Sequence, residues 1–215
     1  MAAQLGVYSA LVLDNRDPEG LARVRVRVSG LDGETGAGLW ARVSTLMAGR
    51  NCGTWFMPAV GDEVLVAFEG GDARTPCVLG ALWSANARPP ETGDMTTVTE
   101  MIRSRNGLTL RILDDAGKGS VIVETAAGQR ITLEDGTSSV RVEDGNGNSV
   151  TLASSGVTIN ASASVTISAA AVDVNAGTAT INAGMARFSG VVQCDTLVCN
   201  SVISASYSPG AGNLQ

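Results

Sequence analysis

Arg130-Ile131-Thr132-Leu133-Glu134-Asp135-Gly136 is followed by Ser139-Val140-Arg141-Val142-Glu143-Asp144-Gly145. Ser149-Val150-Thr151-Leu152, Gly156-Val157-Thr158-Ile159 and Ser164-Val165-Thr166-Ile167 come next, and Val172-Asp173-Val174 and Ala179-Thr180-Ile181 continue the series. Each unit is an apolar–polar–apolar strand closed by a small turn. The units recur mostly every seven to nine residues, with some shorter steps toward the end. Period-two alternation puts Val157 and Ile159 on one face of a strand and Thr158 and Asn160 on the other. A short fixed period of this kind predicts a β-solenoid or a fibre. One strand per unit cannot bury its apolar face alone. Either one chain coils through three sides per rung, or three chains supply one side each. The sides read as equivalent, with no longer period superimposed, which suits three identical chains about a threefold axis.

Outside the repeat the composition changes. Six of the eight aromatics lie in residues 1–85: Tyr8, Trp40, Trp55, Phe56, Phe68 and Trp83. Five of the six prolines lie in residues 1–90, and none falls between Glu91 and Ser208. After Val150 the charged residues are Asp173, Arg187 and Asp195 alone. The break falls at Ala85-Asn86-Ala87-Arg88-Pro89-Pro90, a proline-marked linker. The first half alternates in short runs, such as Val24, Val26 and Val28 between Arg23, Arg25 and Arg27, with Gly- and Asp-rich turns between runs. Five or so strands in about 80 residues predict a small closed barrel. The fold class is therefore all-β. The expected boundaries are a barrel over 1–86, a linker over 87–107, an intertwined β-helical shaft over 108–208 and a tip segment over 209–215.

Composition also excludes chemistry. The chain has 215 residues and no histidine, which removes Ser-His-Asp and Cys-His catalysis and His-ligated zinc. A net charge of −6 argues against a phosphate-tracking surface, so no nucleic-acid partner is expected. No basic region precedes the apolar stretch Leu5–Leu13, so it reads as a first strand, not a signal peptide. Cys52, Cys77, Cys194 and Cys199 form no Cys-x-x-Cys pair and read as reduced, small apolar side chains. Cys194 follows the inward alternation of Val192. In a trimer Cys194 and Cys199 would approach the axis and offer soft metal ligands, with core packing the preferred reading. No cofactor is expected. Asp144-Gly145-Asn146-Gly147-Asn148 resembles the start of a calcium loop, but Ser149 and Ser155 stand where that loop needs Gly and Glu, so it reads as a polar turn. Arg23, Arg25 and Arg27 read as a solvated face paired with nearby acids. Trp40, Trp55 and Trp83 read as barrel core and interchain packing, in preference to a sugar-stacking surface. No pair among the 21 acids is marked for glycoside hydrolysis.

The first half resembles a known pattern. Asp17-Pro18-Glu19 before Ala22-Arg23-Val24-Arg25-Val26 is similar to the "DPE…GRVKV" strand of the injector-spike OB-fold. Trp40-Ala41-Arg42-Val43 resembles its "W-x-R-V", and Gly53, Phe56, Pro58 and Gly61-Asp62-Glu63-Val64-Leu65-Val66-Ala67-Phe68 resemble "G…F.P..GDEVLV.F". Gly71-Asp72, Pro76, Val78-Leu79-Gly80 and Pro89-Pro90 complete the series in order. This pattern resembles the phage baseplate assembly protein V family, shared with contractile-tail spikes and the VgrG proteins of type VI secretion. Leu21-Ala22 departs from it where the family often has Gly.

The resemblance implies a non-enzymatic homotrimeric needle, made in the bacterial cytoplasm and assembled into a baseplate, that pierces a target cell envelope. Its OB-fold collar would meet hub proteins. Because the pattern begins near residue 7, a separate hub is expected. No lysozyme-like segment is present, and the His-x-His iron site of some short spikes is absent. The repeat breaks at Tyr207-Ser208-Pro209-Gly210-Ala211-Gly212, which either folds over as a cap or forms a blunt platform for a PAAR-repeat tip protein. The platform is preferred, with Ser208, Pro209, Gly210, Ala211 and Gly212 as its docking residues. A trimeric fibre or adhesin binding a surface glycan would share the repeat but not the barrel pattern. A single-chain β-helix enzyme would need clustered acids or bases that this shaft lacks.

Overall fold

The computed structural model describes residues 5–31, 36–91 and 98–206. It is all-β apart from one 3₁₀ turn at Glu69–Gly71. Two compact units divide between Ser164 and Val165.

The first unit begins with a closed five-stranded barrel, as the alternating runs predict. β1 (Val7–Asp14), β2 (Val24–Val28), β3 (Leu39–Val43), β6 (Glu63–Phe68) and β7 (Pro76–Leu82) close in the order β1-β2-β3-β7-β6. β4 (Ala48–Gly49) and β5 (Cys52–Gly53) form a small hairpin between β3 and β6. All barrel pairs are antiparallel except β3 with β7, the parallel closure that the excursion through β4–β6 makes possible. Alternation fills the interior. Val24, Val26 and Val28 point in from β2, Val64, Val66 and Phe68 from β6, and Ala10 and Val12 from β1. Closing the sheet on small β-branched residues leaves a narrow interior, and Phe68 meets Tyr8 edge to face at 5.5 Å. Gly38 enters β3 with φ +75°, and a Cβ there would lie 2.8 Å from the Val26 carbonyl oxygen.

Trp55 and Trp83 are corrections to the expected barrel core. They are 72% and 73% exposed, because the tight Val-lined interior has no room for indoles. Trp40 is half-buried under Arg23, just before β2, and Arg25 of β2.

The repeat begins earlier than Arg130. β8 (Val98–Arg103), β9 (Thr109–Asp114) and β10 (Ser120–Glu124) precede β11 (Arg130–Glu134), β12 (Ser139–Glu143), β13 (Ser149–Ala153) and β14 (Gly156–Asn160). β8 thus lies inside the stretch expected as linker. The seven strands form one antiparallel meander in chain order. Tight turns pair each strand with its immediate neighbours in sequence, so a single chain folds these units as hairpins, not as a coil through three sides. Among the described residues no strand follows Asn160. The units Ser164–Ile167, Val172–Val174 and Ala179–Ile181, expected as strands, therefore have no ladder within one chain.

Candidate interaction surface

Register makes the meander two-faced. Val123 pairs with Leu110 and Ile131, Ile131 with Val142, Val142 with Val150, and Val150 with Ile159. A second row runs from Ile112 through Val121, Leu133, Val140 and Leu152 to Val157. Directly paired residues share a face, so the two rows form one apolar surface across six strands. Ile102, paired with Leu110, extends the first row onto β8. Leu133, Val142 and Leu152 remain about 45% exposed, and none of the described residues of the single chain covers them.

The opposite face is polar along most of its length. Arg111, Ile122, Thr132, Arg141, Thr151 and Thr158 form its central row, flanked by a row running from Glu124 through Arg130, Glu143 and Ser149 to Asn160. Arg130 donates to Glu124 across the strands at 2.8 Å, and Arg141 to Glu143 along β12 at 2.7 Å. These partly exposed pairs contribute little stability and keep this face wet.

Asp144 organises the β12–β13 turn. Its carboxylate accepts from the Asn146 and Asn148 backbone N–H groups at 2.9 Å each and from Asn148 Nδ2 at 2.7 Å. The bond from Asn148's side chain, aided by the backbone donors, holds its pKa down at about 2. The carboxylate is thus occupied in shaping a hairpin, in keeping with a polar turn.

On the barrel, Asp17 plays the same kind of role. It accepts the backbone N–H groups of Glu19, Leu21 and Arg23 at 3.1, 3.0 and 3.2 Å. Arg23 Nη2 and Nε reach its two oxygens at 2.8 and 3.0 Å. Arg23 also meets Glu19 at 3.0 Å. This two-point bond from Arg23 holds the Asp17 carboxyl well below the usual carboxylate range. The residues that carry the sequence resemblance here, Asp17 and Arg23, are therefore the ones that fix the β1–β2 connection. Ala22, at the position where that pattern often has Gly, holds φ +58°. Arg25 lies 3.8 Å from Asp14 and 5.9 Å from the Trp40 ring centroid, so it too is partnered.

Trp55, Phe56 and Trp83 wall an open cleft beside the barrel, whose rim also carries Arg105 from the β8–β9 turn. Arg105 Nη2 meets Asp62 of the barrel at 2.5 Å. The exposure of these aromatics is not legible from their spacing. A weak signal was present, since none falls on an alternating run.

Beyond β14 the chain is bare. Every described residue from Ser154 to Ser206 is exposed, including Cys194 and Cys199. No group of three or more metal-ligating side chains forms among the described residues. The expected docking residues Ser208, Pro209, Gly210, Ala211 and Gly212 lie outside the described residues. Among the described residues no helix is long and apolar enough to cross a membrane.

Comparison with known proteins matches two families. Residues 8–83 match the type VI secretion system/phage-baseplate injector OB domain, and residues 120–180 match the phage baseplate V C-terminal trimerisation domain. The type VI secretion system spike protein VgrG1b of Pseudomonas aeruginosa is 28% identical over 104 residues, covering 45% of this chain and 14% of VgrG1b. VgrG1c of the same organism is 30% identical over 104 residues with the same coverage. VgrG1a is 39% identical over 51 residues, 24% of this chain and 8% of its own length. The matched region thus spans about one seventh or less of these relatives.

Proposed function

From the chain's membership of the phage-baseplate V and VgrG-like spike family, we propose that it is the homotrimeric central spike of a contractile injection machine. The observation that carries this reading is the uncovered two-row apolar face of β9–β14. Three copies turning that face inward about a common axis would form a prism with a dry core and polar outer sides. Full burial of an exposed Val, Leu or Ile contributes about 1.5–3 kcal/mol; most of these dozen residues are already about half covered in the single chain, so each contributes roughly half of that on assembly, a sum that still outweighs the cost of association.

The reading assigns residues 1–86 to a collar that meets hub and baseplate proteins. Residues 108–208 form the shaft, in which the units beyond Asn160 wind around one another and pair between chains as a β-helix. Residues 209–215 form the tip segment, with Ser208–Gly212 seating a separate conical tip protein. The role is mechanical: hydrogen bonding along the shaft and a packed axis give the stiffness to transmit thrust into an envelope.

Light scattering after size exclusion tests the assembly. The chain has a mass of 21.9 kDa, so a trimer gives 3 × 21.9 = 65.7 kDa. A stable mass near that value supports the spike, and a well-folded monomer overturns it.

A further inference from the structure

Past Asn160 the sequence keeps an apolar-x-apolar frame through Val165/Ile167, Val172/Val174, Ala179/Ile181, Ala186/Phe188, Val192/Cys194 and Leu197/Cys199, and the next unit, Val202/Ser204, keeps its first position apolar. The step between units shortens from seven residues to six and then five. Two independent observations fix which side of the frame faces in. Large apolar residues on the frame are 60–74% exposed in the single chain, whereas Met185, Val191, Val198 and Ile203, off the frame, are 83–99% exposed. The last three charged residues, Asp173, Arg187 and Asp195, all fall off the frame. Cys194 and Cys199 therefore occupy the same inward position in two consecutive units, where the units are shortest.

We propose that Cys194 of one chain and Cys199 of its neighbour are a disulfide site that links all three chains of the shaft covalently. This rests on the trimeric reading above. A chain that advances one side per unit stacks each unit over the preceding unit of a neighbour, not over its own. The absence of ladder partners within the chain among residues 161–206 fits that path. Adjacent strands lie about 4.8 Å apart. Equivalent positions on stacked strands then bring Cα atoms within the 4.4–6.8 Å that a disulfide spans. Threefold symmetry repeats the bond three times and closes a covalent ring.

Formation needs a two-electron oxidant per bond, and a small-molecule disulfide supplies it. A thiolate of Cys194 or Cys199, both exposed on the unassembled chain, attacks that disulfide and releases one small thiol. As the strands close, the neighbour's thiolate displaces the second small thiol and completes the protein disulfide. Two protein thiols are oxidised and one small disulfide is reduced to two thiols.

Parity supplies the test. The full chain carrying Cys52→Ser and Cys77→Ser, to remove both barrel thiols, is incubated with oxidised glutathione and run denatured without reductant. A covalent trimer that collapses to monomer on reduction is expected. Adding Cys194→Ser or Cys199→Ser leaves a ring of three identical thiols, which can pair only two at a time, so the largest covalent species falls to a dimer. A trimer band that survives either substitution overturns the proposal, as does its absence from the chain lacking only the two barrel thiols. Light scattering under reducing conditions separates the two readings. A trimeric mass without cross-linking sinks only the disulfide, and a monomeric mass sinks the spike reading with it.

Discussion

Arg23 lies with its guanidinium carbon 5.8 Å from the Trp40 ring centroid while the same group grips both oxygens of Asp17. One side chain thus joins the β1–β2 connection to β3, on the outer wall of a barrel whose inside is Val. The Asp17 side chain is only 4% exposed, so losing its charge leaves Arg23 without its closest partner. Asp17→Asn is expected to lower the barrel's thermal midpoint by a few degrees, read by circular dichroism.

The same pair sets an acid limit. Because the folded-state pKa of Asp17 is depressed, its stabilising contribution is fully present above the unfolded value of about 3.9. It is lost as pH falls below that value toward the folded one. Thermal melts from pH 6 down to pH 2 should show wild type and Asp17→Asn converging at the acid end. Curves that stay parallel throughout would remove Asp17 from the account of acid sensitivity.

Ala22 offers a gain. At φ +58° an Ala bears a steric cost that Gly does not. Ala22→Gly is expected to stabilise the barrel by about 1 kcal/mol in urea titration, with no change in assembly.

The barrel interior should answer to volume. Val66 is fully buried among Val12, Val26 and Val64. Val66→Ala removes two methyl groups and leaves a small cavity, at a cost of about 2 kcal/mol. Light scattering on the same variant should give an unchanged mass.

The two faces of the meander should answer in opposite ways. Leu133→Lys puts a charge on the apolar rows, and assembly would bury it three times over, at several kcal/mol per ion. Loss of the trimer is the expected result. Thr132→Lys, one residue away on the polar face, should leave the mass unchanged. If both variants stay trimeric, the apolar face is not the one that assembles.

Much of this was open to reading before any coordinates. Alternation in Val24–Val28 and Val64–Phe68 specified both strands and the side that faces in, because a closed barrel leaves a strand only one way to bury three valines. The Asp17-Pro18-Glu19 and Gly61-Asp62-Glu63 signatures identified the barrel type. Trp55 and Trp83 went the other way, since hydrophobic character alone does not say whether a small interior has room for an indole.

By itself the sequence determined the all-β class, the change of character near Pro89-Pro90 and the two-sided repeat, since each rests on local periodicity and turn residues. Only the tertiary structure decided that the repeat starts at β8, that β8–β14 pair as one antiparallel meander, and that their apolar residues align in two continuous rows. Those facts depend on register between strands. Register is set by which turns close into hairpins, a pairing between neighbouring strands that the periodicity of a single strand does not encode.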